Sequence, residues 1–330
     1  MEATGLNRVL GSSLHDPRDL PMVHLILGCA MVGVLGLGLF FVHDPMWFWP
    51  LSVGYLLLWG LGYLDRFILL LHCTSHRPLF KPAWMKHIIP WAIGPFFGQT
   101  PQTYFVHHIG MHHIENNLPG DLSSTMQYQR DSFAHWLHYL VSFLFTGLPK
   151  LAVYHWRRGS KHMFWRLILG EASFWIASAL LATFNWQATL VVFVGPVLFV
   201  RTLMMAGNWG QHAFVDPAEP GETYRSSITC INTRYNRRCF NDGYHTVHHH
   251  KPRAHYTEMP GLFENHREAY GKADAIVFDG IDFFQVWLYL MTGQHASLAR
   301  RFVRLPGAPA RTDAEVVAMM ASRLRPFAAA

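Results

Sequence analysis

Nine of the 22 histidines in this chain fall into short clusters whose spacing could hold a metal. They are His72 with His76, His108 with His112 and His113, a lone His212 four residues after Asn208, and His245 with His248 and His249. Spacings of three and four residues put side chains on one face of a helix, and neutral imidazole is the commonest biological metal ligand. One zinc takes four protein ligands, or three and a water, so nine histidines exceed what a single zinc uses. They are enough for two iron ions, each keeping an open position for oxygen. A single H-x-x-x-H arises by chance on many helices; four clusters, each just outside an apolar segment, make a metal site the stronger reading.

The elements that must carry these clusters follow from hydropathy. The chain has 330 residues, is 51% hydrophobic and only 15% charged, which is not an ordinary soluble composition. Four segments are long and apolar enough to cross a bilayer, at about residues 23–42, 47–64, 164–183 and 187–206. Short links separate the first two and the last two, so each pair reads as a transmembrane hairpin. The first apolar stretch is too long for a signal-peptide core and reads as a retained span. The fold class expected is all-α: four transmembrane helices as two hairpins, with a cytosolic histidine-rich helical cap at 72–162 and 207–300, forming one membrane domain.

Charge sets the expected orientation. The two short links contain no Lys or Arg, whereas the middle segment carries Arg77, Lys81, Lys86, Arg130, Lys150, Arg157, Arg158 and Lys161. By the positive-inside rule the termini, the middle segment and every histidine cluster fall on the cytosolic side. The formal net charge of +6 is spread through loops with no basic–aromatic stripe, which argues for membrane topology over nucleic acid as a partner. The second helix is expected to run on to Arg77, where Pro78 stops it, and the fourth to carry Asn208 and His212. Three weaker apolar stretches, His87–Phe97, Phe133–Val153 and Ile276–Met291, read as interfacial or re-entrant rather than spanning. The four cysteines show no C-x-x-C spacing, so an iron–sulfur or zinc-ribbon site is not indicated.

The clusters resemble the three histidine boxes of the membrane fatty acid desaturase and hydroxylase superfamily. His72-Cys73-Thr74-Ser75-His76 is similar to the first box and His108-Ile109-Gly110-Met111-His112-His113 to the second. Asp242-Gly243-Tyr244-His245-Thr246-Val247-His248-His249 is similar to the third box of acyl-CoA desaturases, and Asn208-Trp209-Gly210-Gln211-His212 to the extra ligand motif before it. Alkane hydroxylases carry an acid where this chain has Gln211. The resemblance covers roughly residues 20–290 and implies two iron ions, with O2 as co-substrate, held by His72, His76, His108, His112, His113, His212, His245, His248 and His249. It leaves Asn208 as a water-mediated ligand or an orienting group. His107 and His250 lie off the family spacing and read as surface or supporting residues.

The resemblance further implies O2-dependent oxidation of a fatty acyl chain, free or as a thioester or lipid. Desaturation is the first expectation, with hydroxylation or oxidative decarboxylation to a terminal alkene as alternatives within the same site. No haem, ferredoxin or Rossmann motif is present, so electrons are expected from a separate ferredoxin, rubredoxin or cytochrome b5. Ligating histidines need acceptors behind them, and Asp65, Glu115, Asp121 and Asp242 are the nearest. Glu171 is placed deep in the third span, either lining a tunnel or accepting a hydrogen bond; Arg166 and Arg201 are placed near enough to its cytosolic end to snorkel. Asn241 to Tyr244 and the run Arg234–Arg238 could face an acidic donor or a carboxylate or phosphate headgroup, or the basic run could simply set topology. A metal transporter or store would need ligands along a path through the bilayer, and the clusters lie outside the spans. A decayed scaffold would have lost part of the set.

Overall fold

Long apolar runs with few breakers fold as helix, and helix dominates the computed structural model, which describes residues 10–327. The chain ends, expected in the cytosol, lie outside the described residues. Two compact units form: one from the chain up to His107 with His155–Arg201, the other from His108–Tyr154 and the chain from Thr202 onward.

In the first unit, helix α1 (Leu20–Gly38) is followed by the helical run α2 (Pro45–His76). Asp44 caps α2 by accepting the Met46 amide at 2.9 Å, and Pro45 occupies the first turn, where a missing N–H costs nothing. The run ends at Arg77, which is extended, as a residue before proline must be. Gly28 of α1 lies against Tyr63 of α2, where a Cβ would come within 2.5 Å of the ring, so the two helices approach closely only without a side chain there. The expected continuation of the second helix as far as its histidines is therefore present.

The other half of this unit is one helical run, Lys161–Gln211, broken at Asn185, whose backbone is extended (φ −152°, ψ 96°). We call the parts α5 (Lys161–Thr189) and α6 (Gly195–Gln211); α3 (103–115) and α4 (Phe133–Arg157) precede them. Asn185 kinks the run inside α5: its Oδ1 accepts the Ala188 amide at 3.0 Å, and its Nδ2 donates to the Phe40 carbonyl at 3.3 Å. Glu171 and Arg201, 30 residues apart, meet at 2.8 Å. A straight helix would hold them about 45 Å apart, so the chain doubles back at Asn185.

That ion pair corrects the snorkelling expectation for Arg201. Glu171 Oε1 accepts from Thr100 Oγ1 (2.6 Å), Thr103 Oγ1 (2.7 Å) and Arg201 (2.8 Å), while Oε2 accepts from Trp175 Nε1 (2.9 Å). Thr103 opens α3, the helix that carries the second histidine cluster, so Glu171 pins the start of that helix to α5 and α6. The neighbouring Gly170 packs on the backbone of Pro101, where a Cβ would overlap the carbonyl. Arg166 lies over the Phe105 ring at 4.9 Å.

Four helices are long and apolar enough to cross a membrane: Pro17–Phe41, Pro45–His76, Phe133–Arg157 and Lys161–Gln211. The expected third and fourth spans are thus two arms of one run. The stretch expected to be interrupted and interfacial is an unbroken 25-residue helix, α4, with Pro149 inside it. Leu27, Met31, Leu35, Leu61, Ile176, Leu180 and Leu198 are all exposed, an apolar surface that suits lipid and not water.

In the second unit the all-helical expectation holds apart from a parallel pair of three-residue strands, β1 (Thr229–Ile231) and β2 (Val277–Asp279). Around them stand α7 (Arg234–Arg238), α8 (His245–His250), α9 (Met259–Lys272), α10 (Phe283–Met291), α11 (His295–Arg301) and α12 (Asp313–Arg323). Their core is packed from Phe214, Cys230, Phe278, Phe283, Leu298 and Met320. None of the four cysteines is in a disulfide, and Cys29 is fully buried as a small apolar residue.

Two outcomes are expected from thermal unfolding in detergent. Gly170→Ala should lose about 1–3 kcal/mol, because the Pro101 backbone must move. Glu171→Ala should lose about 3–5 kcal/mol by stranding Arg201, whereas Glu171→Leu combined with Arg201→Leu should recover most of that loss.

Candidate metal centre

The second histidine cluster sits on a helical turn of unusual width. His108–His112 is π-helical, with i→i+5 hydrogen bonding that brings residues five apart to one side. His108 and His113 accordingly meet Nε2 to Nε2 at 3.1 Å. On α8 the ordinary α repeat brings His245 and His249 together at 3.0 Å. The side-chain pairing therefore differs from the simple one-face expectation: neighbours in each His-His doublet go to different groups.

One group within the second unit is His112, His212, His245 and His249, whose ligand atoms all lie within 4.8 Å of one another. His245 Nε2 and His212 Nε2 are 3.4 Å apart. A second set there is His108, His113 and His248, with His248 Nε2 3.0 Å from His113 Nε2. In the first unit His72 and His76, on the last turns of α2, have ring centroids 5.4 Å apart. Ligands held about 2.1 Å from a common cation are separated by about 3.0 Å in octahedral and about 3.4 Å in tetrahedral geometry. The observed 3.0–3.4 Å is that spacing, so the donor set fits metal ions.

The nitrogens facing away from these centres are fixed by the surrounding protein. His112 Nδ1 donates to Asp121 Oδ2 at 2.6 Å in a buried pair. Asp121 is itself held by the Asn117 amide (3.1 Å), the Ser123 amide (2.8 Å) and the Ser123 hydroxyl (2.7 Å). His212 Nδ1 donates to the Ser226 carbonyl at 2.8 Å, leaving Nε2 with its lone pair directed inward. Burial, and then the neighbouring His112, pull the His212 pKa down from 6.5 to about 3. His249 is pulled well below its ordinary value by burial and by His245, His212, His112 and His113. Both are neutral at neutral pH, as metal ligation requires.

Of the four acids expected behind the ligands, Asp121 is seen bonded to one. Glu115 accepts from Tyr154 OH at 2.6 Å. Asp242 accepts from Tyr235 OH at 2.7 Å, with Gln211 Nε2 at 3.5 Å, and Asp65 Oδ1 accepts the Arg66 amide at 2.8 Å. Asn208 donates both amide hydrogens, to the Ser123 carbonyl (2.9 Å) and to Tyr139 OH (2.8 Å). It therefore braces the loop that holds Asp121, which favours its orienting role. Neither His107 nor His250 belongs to a metal-capable group among the described residues; His250 stacks on Tyr224 at 5.8 Å.

The glycine of the third box has a steric role. A Cβ on Gly243 would overlap Asn236 Oδ1 and lie 2.4 Å from the Cys230 carbonyl, and the Cys230 amide donates to the Gly243 carbonyl at 2.7 Å. Only glycine lets the start of α8 press against β1.

Arg130 was not legible as a supporting residue. Counted by sequence among the topogenic loop cations, it is fully buried. Its guanidinium donates to the carbonyls of Thr125 (3.1 Å), Met126 (3.0 Å), Tyr128 (3.2 Å), Ala213 (2.7 Å) and Arg325 (2.9 Å), and to that of Arg323. It ties the loop behind His112 to the residue after His212 and to the end of α12. Thr125 adds a hydrogen bond to the His212 carbonyl at 2.7 Å. No local pattern signals partners so far away in sequence.

Two measurements check this centre. Asp121→Asn is expected to lower metal affinity about 10–100-fold, read by metal content after dialysis against graded chelator. In chelator-treated protein, the unfolded chain takes up protons on His212 and His249 that the folded chain refuses. Their contribution to stability is thus present above about pH 6.5 and lost as pH falls from there toward the folded values. The Tm should fall between pH 7 and 5, and His249→Gln should flatten that fall.

A search among curated proteins and among solved structures finds no match to the chain. The sequence model of the family described as fatty acid desaturase does match, over residues 45–280. That range holds every one of the nine histidines, the π-helical second cluster and the Gly243 contact, and it leaves out α1 and α10 to α12. With most of its length matched and its clustered histidines arranged as metal donors, the chain belongs to the fatty acid desaturase family.

Proposed function

We propose that the protein is an integral-membrane di-iron oxidase that desaturates a fatty acyl chain with O2. The observation that carries this is the convergence of imidazole nitrogens at ligand spacing in two sets. His112, His212, His245 and His249 would hold one iron. His108, His113 and His248 would hold the other with His72 and His76, as the family's nine-ligand pattern implies. Bound iron supplies the means to reduce O2 and to take hydrogen from an unactivated C–H bond, which side chains alone lack. The protein's own part is to keep the imidazoles neutral, to orient His112 through Asp121 and His212 through Ser226, and to exclude water by burial.

The membrane arrangement proposed is four crossings: α1, α2, α5 and α6. A parity argument supports it. His112 precedes α4 and His212 follows α6, yet their rings lie 5.2 Å apart. The α5–α6 run turns back at Asn185 and so returns to the side it left. If α4 also crossed, His112 and His212 would lie on opposite faces. We therefore read α4 as lying in the membrane plane, with Phe133, Leu137, Val141 and Phe145 toward lipid. The basic residues flanking these helices favour the cytosol for the histidines and both chain ends.

The test is gas chromatography with mass spectrometry of lipids, free fatty acids and headspace volatiles from a bacterial host expressing the chain. Empty vector and His112→Ala are the controls. A new C=C bond that disappears, by at least about 100-fold, in His112→Ala is the expected outcome. A hydroxy acid or a terminal alkene would replace desaturation with another outcome at the same centre. Zinc, or no metal, in the purified protein would remove the oxidase reading.

A further inference from the structure

The loop behind His112 is braced by the far end of the chain. After α12 the tail runs back along residues 126–130 in the opposite sense. The Arg130 amide donates to the Leu324 carbonyl at 2.9 Å, and the Phe327 amide to the Met126 carbonyl at 3.0 Å. The Arg130 guanidinium lies over the Phe327 ring at 5.3 Å and donates to the carbonyls of Arg323 and Arg325. The tail is fastened where α12 ends: the Arg323 side chain donates to Asp216 Oδ2 (2.9 Å) and to the Asp274 carbonyl (2.9 Å), and Leu324 is fully buried. α12 and this tail lie beyond the range matched to the family.

What this strap braces serves one of the two metal groups. Asp121 bonds His112, and Thr125 bonds the His212 carbonyl. Asn117 ties the two together: its amide donates to Asp121 (3.1 Å) and its Oδ1 accepts the Thr125 amide (2.9 Å). Arg130 holds the Thr125 carbonyl and that of Ala213, next to His212. His112 and His212 both belong with His245 and His249. The other set is fastened elsewhere. His108 and His113 stand on the helix whose start Glu171 holds through Thr103, and His248 stands on α8, whose start packs through Gly243 on β1.

The buried guanidinium has its full set of acceptors while the tail is seated. A loosened tail withdraws acceptors from a buried charge, which then draws in water or pulls the loop toward new partners. Ligand geometry must hold to within about 0.5 Å, so a shift of Asp121 and Thr125 weakens the first group and spares the second. We propose that the strap formed by Arg130 and the tail sets the affinity of one metal position, that of His112, His212, His245 and His249, and leaves the other unchanged. The inference rests on the two-iron reading above. The two positions are then unequal, although their donors are spaced alike, at 3.0–3.4 Å.

The protein in nanodiscs is loaded with Fe(II) without oxygen and dialysed against graded chelator, and its retained iron is counted. The unaltered chain is expected to load with about two irons. Arg130→Met removes the guanidinium, and Pro326→Gly with Phe327→Gly loosens the tail. Each is expected to release one iron at a chelator concentration at least about tenfold lower, while release of the other does not move. Arg130→Lys keeps the charge but loses the fork, and should fall between. Asp121→Asn should add less to Arg130→Met than it costs alone, because both act on His112. Thr312→Ala removes the cap of α12 without touching the strap; it should lower the Tm and leave both releases where they were. Both irons loosening together would make the strap a general brace and overturns the proposal, as does an unchanged release profile in the tail variant. If Arg130→Met shows no cooperative thermal transition, Arg130→Lys and the tail variant carry the same test. An unaltered chain that never loads a second iron is a different result, and overturns the two-iron reading itself.

Discussion

Imidazole lone pairs aimed at one another from 3.0–3.4 Å repel unless a cation lies between them or a proton is shared. Burial and the neighbouring histidines disfavour the charged imidazolium at His212 and His249. The rest of the second unit is organised to hold this unfavourable arrangement in place. Asp121 and Ser226 fix two of the rings from behind, Asn208 and Tyr139 fix the loop bearing Asp121, and Arg130 draws the surrounding backbone together. The result is a centre whose geometry is maintained by protein–protein hydrogen bonds, so that a bound ion meets donors already in position.

The same logic extends to the helix that enters this unit. The second cluster begins five residues after Thr103, and Thr103 is held by Glu171. Glu171 in turn is satisfied by four donors, one of them a guanidinium. A carboxylate in apolar surroundings is costly alone and tolerable with partners. Here it fixes where the histidine helix starts.

What could be read in the sequence was whatever repeats locally or depends on hydropathy. The helix ending at His76 and the clustering of the histidines were legible because each has a short-range signature. The allocation of donors to groups was not, because it depends on a π turn at His108–His112 that no residue spacing announces. Arg130 looked like one more loop cation, because its acceptors at Ala213 and Arg323 lie far along the chain. Arg201 looked free to reach an interface, because its partner is a helix away. Glu115 and Asp121 could not be ranked by proximity in sequence; the αL backbone of Asn116 and Asn117 turns the chain so that Asp121 reaches His112.

The reach of Arg130 has a consequence for how the centre comes into being. Its guanidinium holds the loop behind His112 on one side and the carbonyls of Arg323 and Arg325 on the other. During synthesis the histidines emerge from the ribosome long before those carbonyls exist. Until residue 325 has been made, the loop lacks part of its frame and the ligands lack their final register. The frame around the histidines is therefore completed last, when the final helix supplies a support for residues made some two hundred positions earlier.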